Sequence, residues 1–513
     1  MVRLNERLDK IKELYIDRGK YFVINRARQY GKTTTLMALA EYLKDDYLVV
    51  WMDFQGIGSE DFVNAEKFAA AFATKFIAAF KDRNTAGNRE LLQPLEDFAG
   101  RLTDRNLRGL FAGLGRLCKH AEKPLVLMID EIDSASNNQV FIDFLAMLRE
   151  GYLNREKSPA FLSVVLAGVY DIKNLKLKIR PELEHRYNSP WNIAADFDMD
   201  MSFSAAEISS MLQEYEDDRL VGMDVQAVSQ CIHEYTSGYP YLVSAICKLL
   251  DEEMNGMERF GGRKDVWTRA GIAEAVKIIL DRQLPLFQSM VRQLGEYPDL
   301  KKMLHAILFQ GKRITFNPDN QVIQMAAMFG YIVNKERNVQ VANRIFEIRL
   351  YNLFLSEDEL TNAIYDEAQG SRNYFFRDGR LDMKMVLEKF AVHFRDIYGT
   401  KDDKFVEAYG RKFFLLYLKP IINGKGNYYI ESQTRDARRT DVIVDYLGEQ
   451  FIIELKIWRG SEYNERGEHQ LAEYLDAYHQ EKGYLVSFNF NKNTKPGMKE
   501  IQTGGKTIVE VIV

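Results

Sequence analysis

Asn25-Arg26-Ala27-Arg28-Gln29-Tyr30-Gly31-Lys32-Thr33-Thr34 stands between an apolar run, Tyr21–Asn25, and a stretch without Gly or Pro, Thr33–Leu43. The run reads as a short buried strand and the stretch as a helix. A loop in that place offers an anion both its backbone N–H groups and the N-terminus of a helix. The side chains suit a chain of phosphates. Lys32 would neutralise the β/γ charge and Thr33 would hold Mg²⁺, with Arg28, Gln29, Tyr30, Gly31 and Thr34 completing the nucleotide-binding loop. The usual spacing has a glycine five residues before Gly31, and Arg26 occupies that position.

The pattern around the loop extends the reading. Tyr47–Phe54, Leu125–Ile129 and Phe161–Ala167 are apolar strand-like runs, and helical segments separate them: about Ala65 to His120, broken near Asp82–Asn88, and Val140–Glu150. Such alternation predicts a parallel sheet covered on both faces. The run Leu125–Ile129 delivers Asp130 and Glu131 at a strand's C-terminal end, where ligands of open α/β sheets bind. Asp130 would hold Mg²⁺ through water and Glu131 would orient the attacking water.

Ala27–Thr35 resembles the arginine-glutamine-aromatic-Gly-Lys-Thr variant of the bacterial and archaeal AAA-like ATPases, relatives of the STAND and origin-recognition ATPases. Leu166-Ala167-Gly168-Val169, Asn188-Ser189-Pro190-Trp191-Asn192-Ile193 and Ser237-Gly238-Tyr239-Pro240-Tyr241-Leu242 are similar to further blocks of that family. The resemblance covers roughly Met1–Leu355. It implies strand Phe161–Ala167 beside the loop's strand, a helical lid and a winged helix; Arg180 and Arg186 are each either an arginine finger or a surface arginine of a basic stretch. Within the winged helix Lys312 and Arg313 form a compact basic spot. The expected division is 1–203 ATPase domain, 204–283 helical lid, 284–357 winged helix and 358–382 linker, followed by a separate α/β domain over 383–513.

That last domain begins with helices Met383–Tyr398 and Asp402–Leu418. Strands Tyr428–Thr434, Asp441–Tyr446 and Phe451–Trp458 follow, then helix Glu468–His479 and a last strand, Gly483–Phe488. Side chains alternate across a strand, so Glu454 and Lys456 share one face while Ile453, Leu455 and Ile457 line the other. A hairpin can bring Asp441 alongside Glu454. Two carboxylates and a lysine on a strand pair suit metal-dependent phosphodiester hydrolysis. The carboxylates would hold Mg²⁺ or Mn²⁺, and the ammonium would stabilise charge developing on phosphate. The order αβββαβ and these residues resemble the PD-(D/E)xK nuclease superfamily over about Met383–Val513. Carried across, Asp441, Glu454 and Lys456 are the core triad, Glu407 the helix acid and Gln470 the residue after the core. The proline that names the motif is missing, since Arg439-Thr440 precede Asp441. Arg435, Arg438, Arg439 and Arg459 would help to hold a phosphate backbone, and Glu431 is either a further ligand or a plain strand residue.

Composition bounds the rest. A chain of 513 residues with 46% hydrophobic and 28% charged residues is globular and multidomain. A net charge of −5 argues against a uniformly basic coat and leaves room for a local basic groove. Cys118, Cys231 and Cys247 lack metal-ligand spacing and fit a reduced, cytoplasmic setting. The apolar runs fall short of the roughly 20 residues a membrane helix needs. The expectation is a nucleotide-controlled deoxyribonuclease using ATP and Mg²⁺, with DNA (or RNA) as partner and homo-oligomers open. Its rival is a non-catalytic ATP-dependent switch that binds DNA or protein.

Overall fold

The computed structural model describes residues 4–83, 90–101, 105–135, 138–169, 191–257, 260–310, 312–359, 362–398, 407–423, 425–429, 442–447, 449–458, 461–477, 480–490 and 497–513. The chain forms two compact units. The first comprises Met1–Arg219 with Gly238–Leu242 and Met328–Gly330; the second comprises Leu220–Ser237, Val243–Ala327 and Tyr331–Val513.

In the first unit helix α1 (Asn5–Ile11) leads to β1 (Tyr21–Asn25), α2 (Lys32–Leu43) and β2 (Leu48–Asp53). Helices α3 (Ala65–Arg83), α4 (Gln93–Ala99) and α5 (Leu107–His120) precede β3 (Leu125–Asp130). Then come α6 (Gln139–Leu153), β4 (Ser163–Gly168) and α7 (Ala205–Arg219). The four strands form a parallel sheet in the order β1-β4-β3-β2. β4 therefore lies beside β1, with Tyr21 opposite Val164 and Asn25 opposite Gly168. Strands β3 and β4 are buried at every position, as a sheet with both faces covered requires. One face packs on α3–α6 through a run of phenylalanines that includes Phe68, Phe72, Phe76 and Phe144. The other packs on α1 and α2 through Ile11, Leu36, Leu39 and Leu43.

The longer helices that follow are α8 (Val225–Thr236), α9 (Pro240–Lys248), α10 (Arg269–Asp281), α11 (Pro285–Glu296), α12 (Pro298–Phe309) and α13 (Gln321–Met328). A hairpin pairs β5 (Ile332–Lys335) with β6 (Asn338–Val341) and leads into α14 (Arg344–Glu359). The segment expected as a linker, 358–382, carries elements of its own: α15 (Ala363–Gly370) buries Ile364 and Ala368, and a hairpin of β7 (Phe376–Arg377) and β8 (Arg380–Leu381) buries Leu381. So few apolar residues, one per helical turn, give a weak periodic signal.

The C-terminal sheet has six strands in the order β13-β14-β12-β11-β10-β9. They are β9 (Gly426–Tyr429), β10 (Val442–Tyr446), β11 (Glu449–Ile457), β12 (Lys482–Phe488), β13 (Gly497–Thr503) and β14 (Lys506–Ile512). Helices α16 (Met383–Tyr398) and α17 (Glu407–Ile422) precede it, and α18 (Ser461–Ala477) joins β11 to β12. β12 is thus not the last strand, which corrects the sequence reading. β13 is a polar edge strand with no buried residue, so hydropathy hides it. The signal was the Gly504-Gly505 turn, both at positive φ, which closes the β13–β14 hairpin.

Among the described residues no helix is long and apolar enough to cross a membrane. The cysteines are unpaired thiols, and burial pushes Cys231 up to about 11.

Candidate functional site

Two constellations of polar side chains lie at strand ends, one in each unit. In the first, parallel register sets the C-terminal ends of β2 and β3 side by side, with Asp53 opposite Asp130. Asp130, the last residue of β3, is 2% exposed, and its Oδ1 accepts the Glu131 N–H at 2.9 Å. Glu131 sits in the left-handed region at φ 52°, a conformation uncommon outside glycine. That turn carries Glu131 past the end of the strand. Partial burial, and then the neighbouring Asp130 charge, raise its pKa above the ordinary range.

The loop after β1 closes on its own lysine. Lys32, the first residue of α2, is 7% exposed, and its Nζ donates to the carbonyls of Arg26 and Ala27, each at 3.0 Å. Burial lowers its pKa, while the charges of Asp133, Glu131 and Asp130 oppose the shift. Gln29 (φ 59°) and Gly31 (φ 76°) take the left-handed turns that curl the backbone before the helix. Arg28, Gln29, Thr33 and Thr34 are exposed around this turn, and Thr35 is buried beneath it. Left-handed turns, a helix N-terminus and a buried lysine fit a polyphosphate.

Neighbouring segments of the same unit hold the loop in place. The Tyr30 hydroxyl and Ser202 Oγ share a hydrogen bond of 2.6 Å, and the Tyr30 ring meets Tyr239 edge-on at 4.7 Å. The Tyr239 hydroxyl donates to the Arg28 carbonyl at 2.5 Å. The motif Gly238-Tyr239-Pro240, legible in the sequence only as a family block, therefore braces this loop through Tyr239. Arg26, where a glycine was expected, directs its guanidinium away from the loop, donating to the carbonyls of Phe197 (3.0 Å) and Met199 (2.7 Å).

Sequence reasoning missed Asp133. Its Oδ2 accepts the Val169 N–H at 2.7 Å, tying the turn after β3 to the end of β4, and its charge acts on Lys32. The signal was there: Asp133 lies three residues past Asp130, one turn on. Arg180 and Arg186 lie outside the described residues.

In the second unit β11 carries Glu454 and Lys456 on one face. Glu454 is 5% exposed and the Lys456 side chain 11%. The Lys456 Nζ lies 3.3 Å from Glu454 Oε1 and donates to Gln470 Oε1 at 2.9 Å. The Ile457 N–H reaches Glu407 Oε1 at 3.4 Å. Lys456 thus meets Glu454 and Gln470, the latter 14 positions on, while Glu407 reaches the backbone at the same end of β11. A face carrying Glu454 and Lys456 could have been a solvated edge. Instead α18 packs on β11, and the carboxylate is buried against its lysine. Asp441, Glu431, Arg435, Arg438, Arg439 and Arg459 lie outside the described residues.

The polar face continues across the sheet. Lys456 is in register with Ser487, whose Oγ donates to Glu510 Oε1 at 2.8 Å, and Lys499 Nζ lies 2.6 Å from Glu510 Oε2. Burial, and then Glu510, raise the pKa of Glu468 on α18. Lys499 and Glu510 escaped sequence reasoning because β13 and β14 did. Among the described residues no three or more His, Cys, Asp or Glu side chains form a metal cage by themselves. Hard carboxylate oxygens, as at Asp130 and Glu454, nonetheless suit Mg²⁺, which keeps several waters and takes one or two protein carboxylates.

Residues 6–357 match the model of the AAA-like domain, and residues 427–501 match that of the PD-(D/E)XK nuclease superfamily. No curated protein matches the chain. Similar solved structures include a Walker-type ATPase of Pyrococcus abyssi (14% identity, 68% of this chain and 96% of that one, TM-score 0.45). Others are Cdc6p from Pyrobaculum aerophilum (14%, 69% and 94%, TM-score 0.32) and the Orc1 protein of Aeropyrum pernix, solved with DNA (14%, 70% and 94%, TM-score 0.31). With well over half of its length matched, the chain belongs to the AAA-like domain family, and it carries beyond that domain one of the PD-(D/E)XK nuclease superfamily.

Proposed function

We propose that this protein is an ATP-binding, nucleotide-regulated deoxyribonuclease. The observation that carries the reading is the cluster of Glu454, Lys456 and Gln470 near the end of β11, with Glu407 on the backbone there, in a chain where the charges of Asp130 and Glu131 also act on Lys32. Lys32, the loop from Arg28 to Thr34 and the N-terminus of α2 would hold the phosphates of ATP. The Lys32 ammonium now bonds to loop carbonyls, acceptors that phosphate oxygens would replace. Glu131, with its raised pKa, orients the attacking water and takes up its proton. Thr33 and Asp130 at one site, and Glu454 and Asp441 at the other, would hold Mg²⁺, which would supply Lewis acidity there.

At the second site Lys456 stabilises the charge that develops on the scissile phosphate, and Gln470 and Glu454 fix the ammonium where that charge appears. The unit of helices with the β5–β6 hairpin reads as a winged helix offering Lys312 and Arg313, both exposed, to a nucleic-acid backbone. One observation favours the rival reading, an ATP-dependent switch without turnover: Arg26 replaces the first glycine of the loop.

The test is cleavage of plasmid DNA, single-stranded DNA and RNA with Mg²⁺ or Mn²⁺, with and without ATP, beside the Lys456→Ala protein. Cutting by the wild type that vanishes in Lys456→Ala supports the nuclease. Equal cutting by both removes Lys456 from the mechanism, and no cutting by either moves the weight to the switch.

A further inference from the structure

Gly467 lies inside α18, a helix of 17 residues, and is buried. Glycine in a helix interior is unfavourable relative to alanine, so its place there asks for a packing reason. The reason is Lys456. A Cβ built on Gly467 would stand 3.0 Å from the Lys456 Nζ, 3.2 Å from its Cδ and 3.5 Å from its Cε. The lysine's stem runs over the bare backbone of α18, and that path lets its ammonium reach both Gln470 and Glu454.

We infer that Gly467 is a positioning residue for Lys456: the missing side chain is the channel through which the ammonium reaches the reacting phosphate. This rests on the nuclease reading. The contact closest to the Cβ is the far end of a flexible side chain, so the fold tolerates an added methyl by moving the ammonium. A shift of a few tenths of an ångström matters to chemistry far more than to stability, because positioning errors of about 1 Å cost roughly 100-fold in rate.

The experiment compares wild type, Gly467→Ala and the bulkier Gly467→Ser. Three readouts are taken: DNA cleavage kinetics, Tm, and acetylation of Lys456 by an N-hydroxysuccinimide ester followed by mass spectrometry. We expect Tm to hold or rise in the alanine protein, and kcat to fall about tenfold in alanine and further in serine. KM for DNA should stay within about twofold, as for an interaction made in the transition state. Lys456 should acetylate several-fold faster in both variants, because its ammonium leaves a site where the side chain is 11% exposed. Unchanged kcat and unchanged labelling overturn the inference and leave the nuclease reading standing. A fall in Tm with kcat and KM both altered points to general packing and overturns it too. If the wild type cuts nothing the nuclease reading falls, and labelling alone decides: faster acetylation in the variants upholds the positioning, and equal rates reject it.

Discussion

Arg26 stands where the loop pattern has glycine, yet its side chain does not enter the loop. Its guanidinium donates to the carbonyls of Phe197 and Met199 and lies 5.4 Å over the Phe197 ring. It therefore anchors the segment that follows β4, and burial depresses its pKa without depriving it of partners. Arg26→Gly, which restores the common pattern, should not tighten nucleotide binding. It should cost about 1–3 kcal/mol of stability by leaving those carbonyls without their donors. Urea denaturation and nucleotide titration of the variant check both halves, and a gain in affinity at unchanged stability would count against this role. Lys32 is the complementary case. Charge-assisted hydrogen bonds contribute about 1.5–3 kcal/mol, so Lys32→Ala should weaken ATP binding roughly 10- to 100-fold, measurable by calorimetry.

At the scale of elements, α18 and the strands beneath it form one buried polar layer. The charge of Glu510 on β14 acts on Glu468 of the helix, ahead of those of Lys499 and Glu465. Burial and Glu510 raise its pKa in the folded protein. A carboxyl raised in this way binds more protons folded than unfolded between the two pKa values. Its contribution is complete below the unfolded value of about 4.3 and is lost as pH rises through the folded one. Stability to denaturant should therefore decline over that interval above about pH 4.3, and in Glu468→Gln the decline should flatten. Parallel profiles for the two proteins would show that Glu468 has no part in it.

For the whole molecule the proposal joins two chemistries. Lys32 lies in the first compact unit and Lys456 in the second. If nucleotide regulates cleavage, substitutions at the two lysines should separate. Lys456→Ala should abolish cutting and keep ATP binding, whereas Lys32→Ala should keep a basal cutting rate that no longer responds to ATP. Cleavage rates with and without ATP across the two variants test this, and an ATP response surviving in Lys32→Ala would break the proposed link.

Where information is local, the sequence by itself determined the outcome. Four apolar runs and the loop at Gly31-Lys32 were enough for a parallel sheet with acidic residues at its ends, since strand burial and loop geometry are written in neighbouring residues. The Glu454-Leu455-Lys456 alternation placed two polar groups on one face for the same reason. What tertiary structure decided depends on residues far apart in the chain. Burial of Glu454 required α18 to cover its strand, the bracing of the loop by Tyr239 spans 211 positions, and Asp133 is defined by its bond to Val169. The polar edge strand β13 carries no hydropathy signal, and it exists because β14 offers it a ladder of backbone partners. Even Gly467, an unfavourable residue in its own helix, makes sense only against the lysine that crosses it.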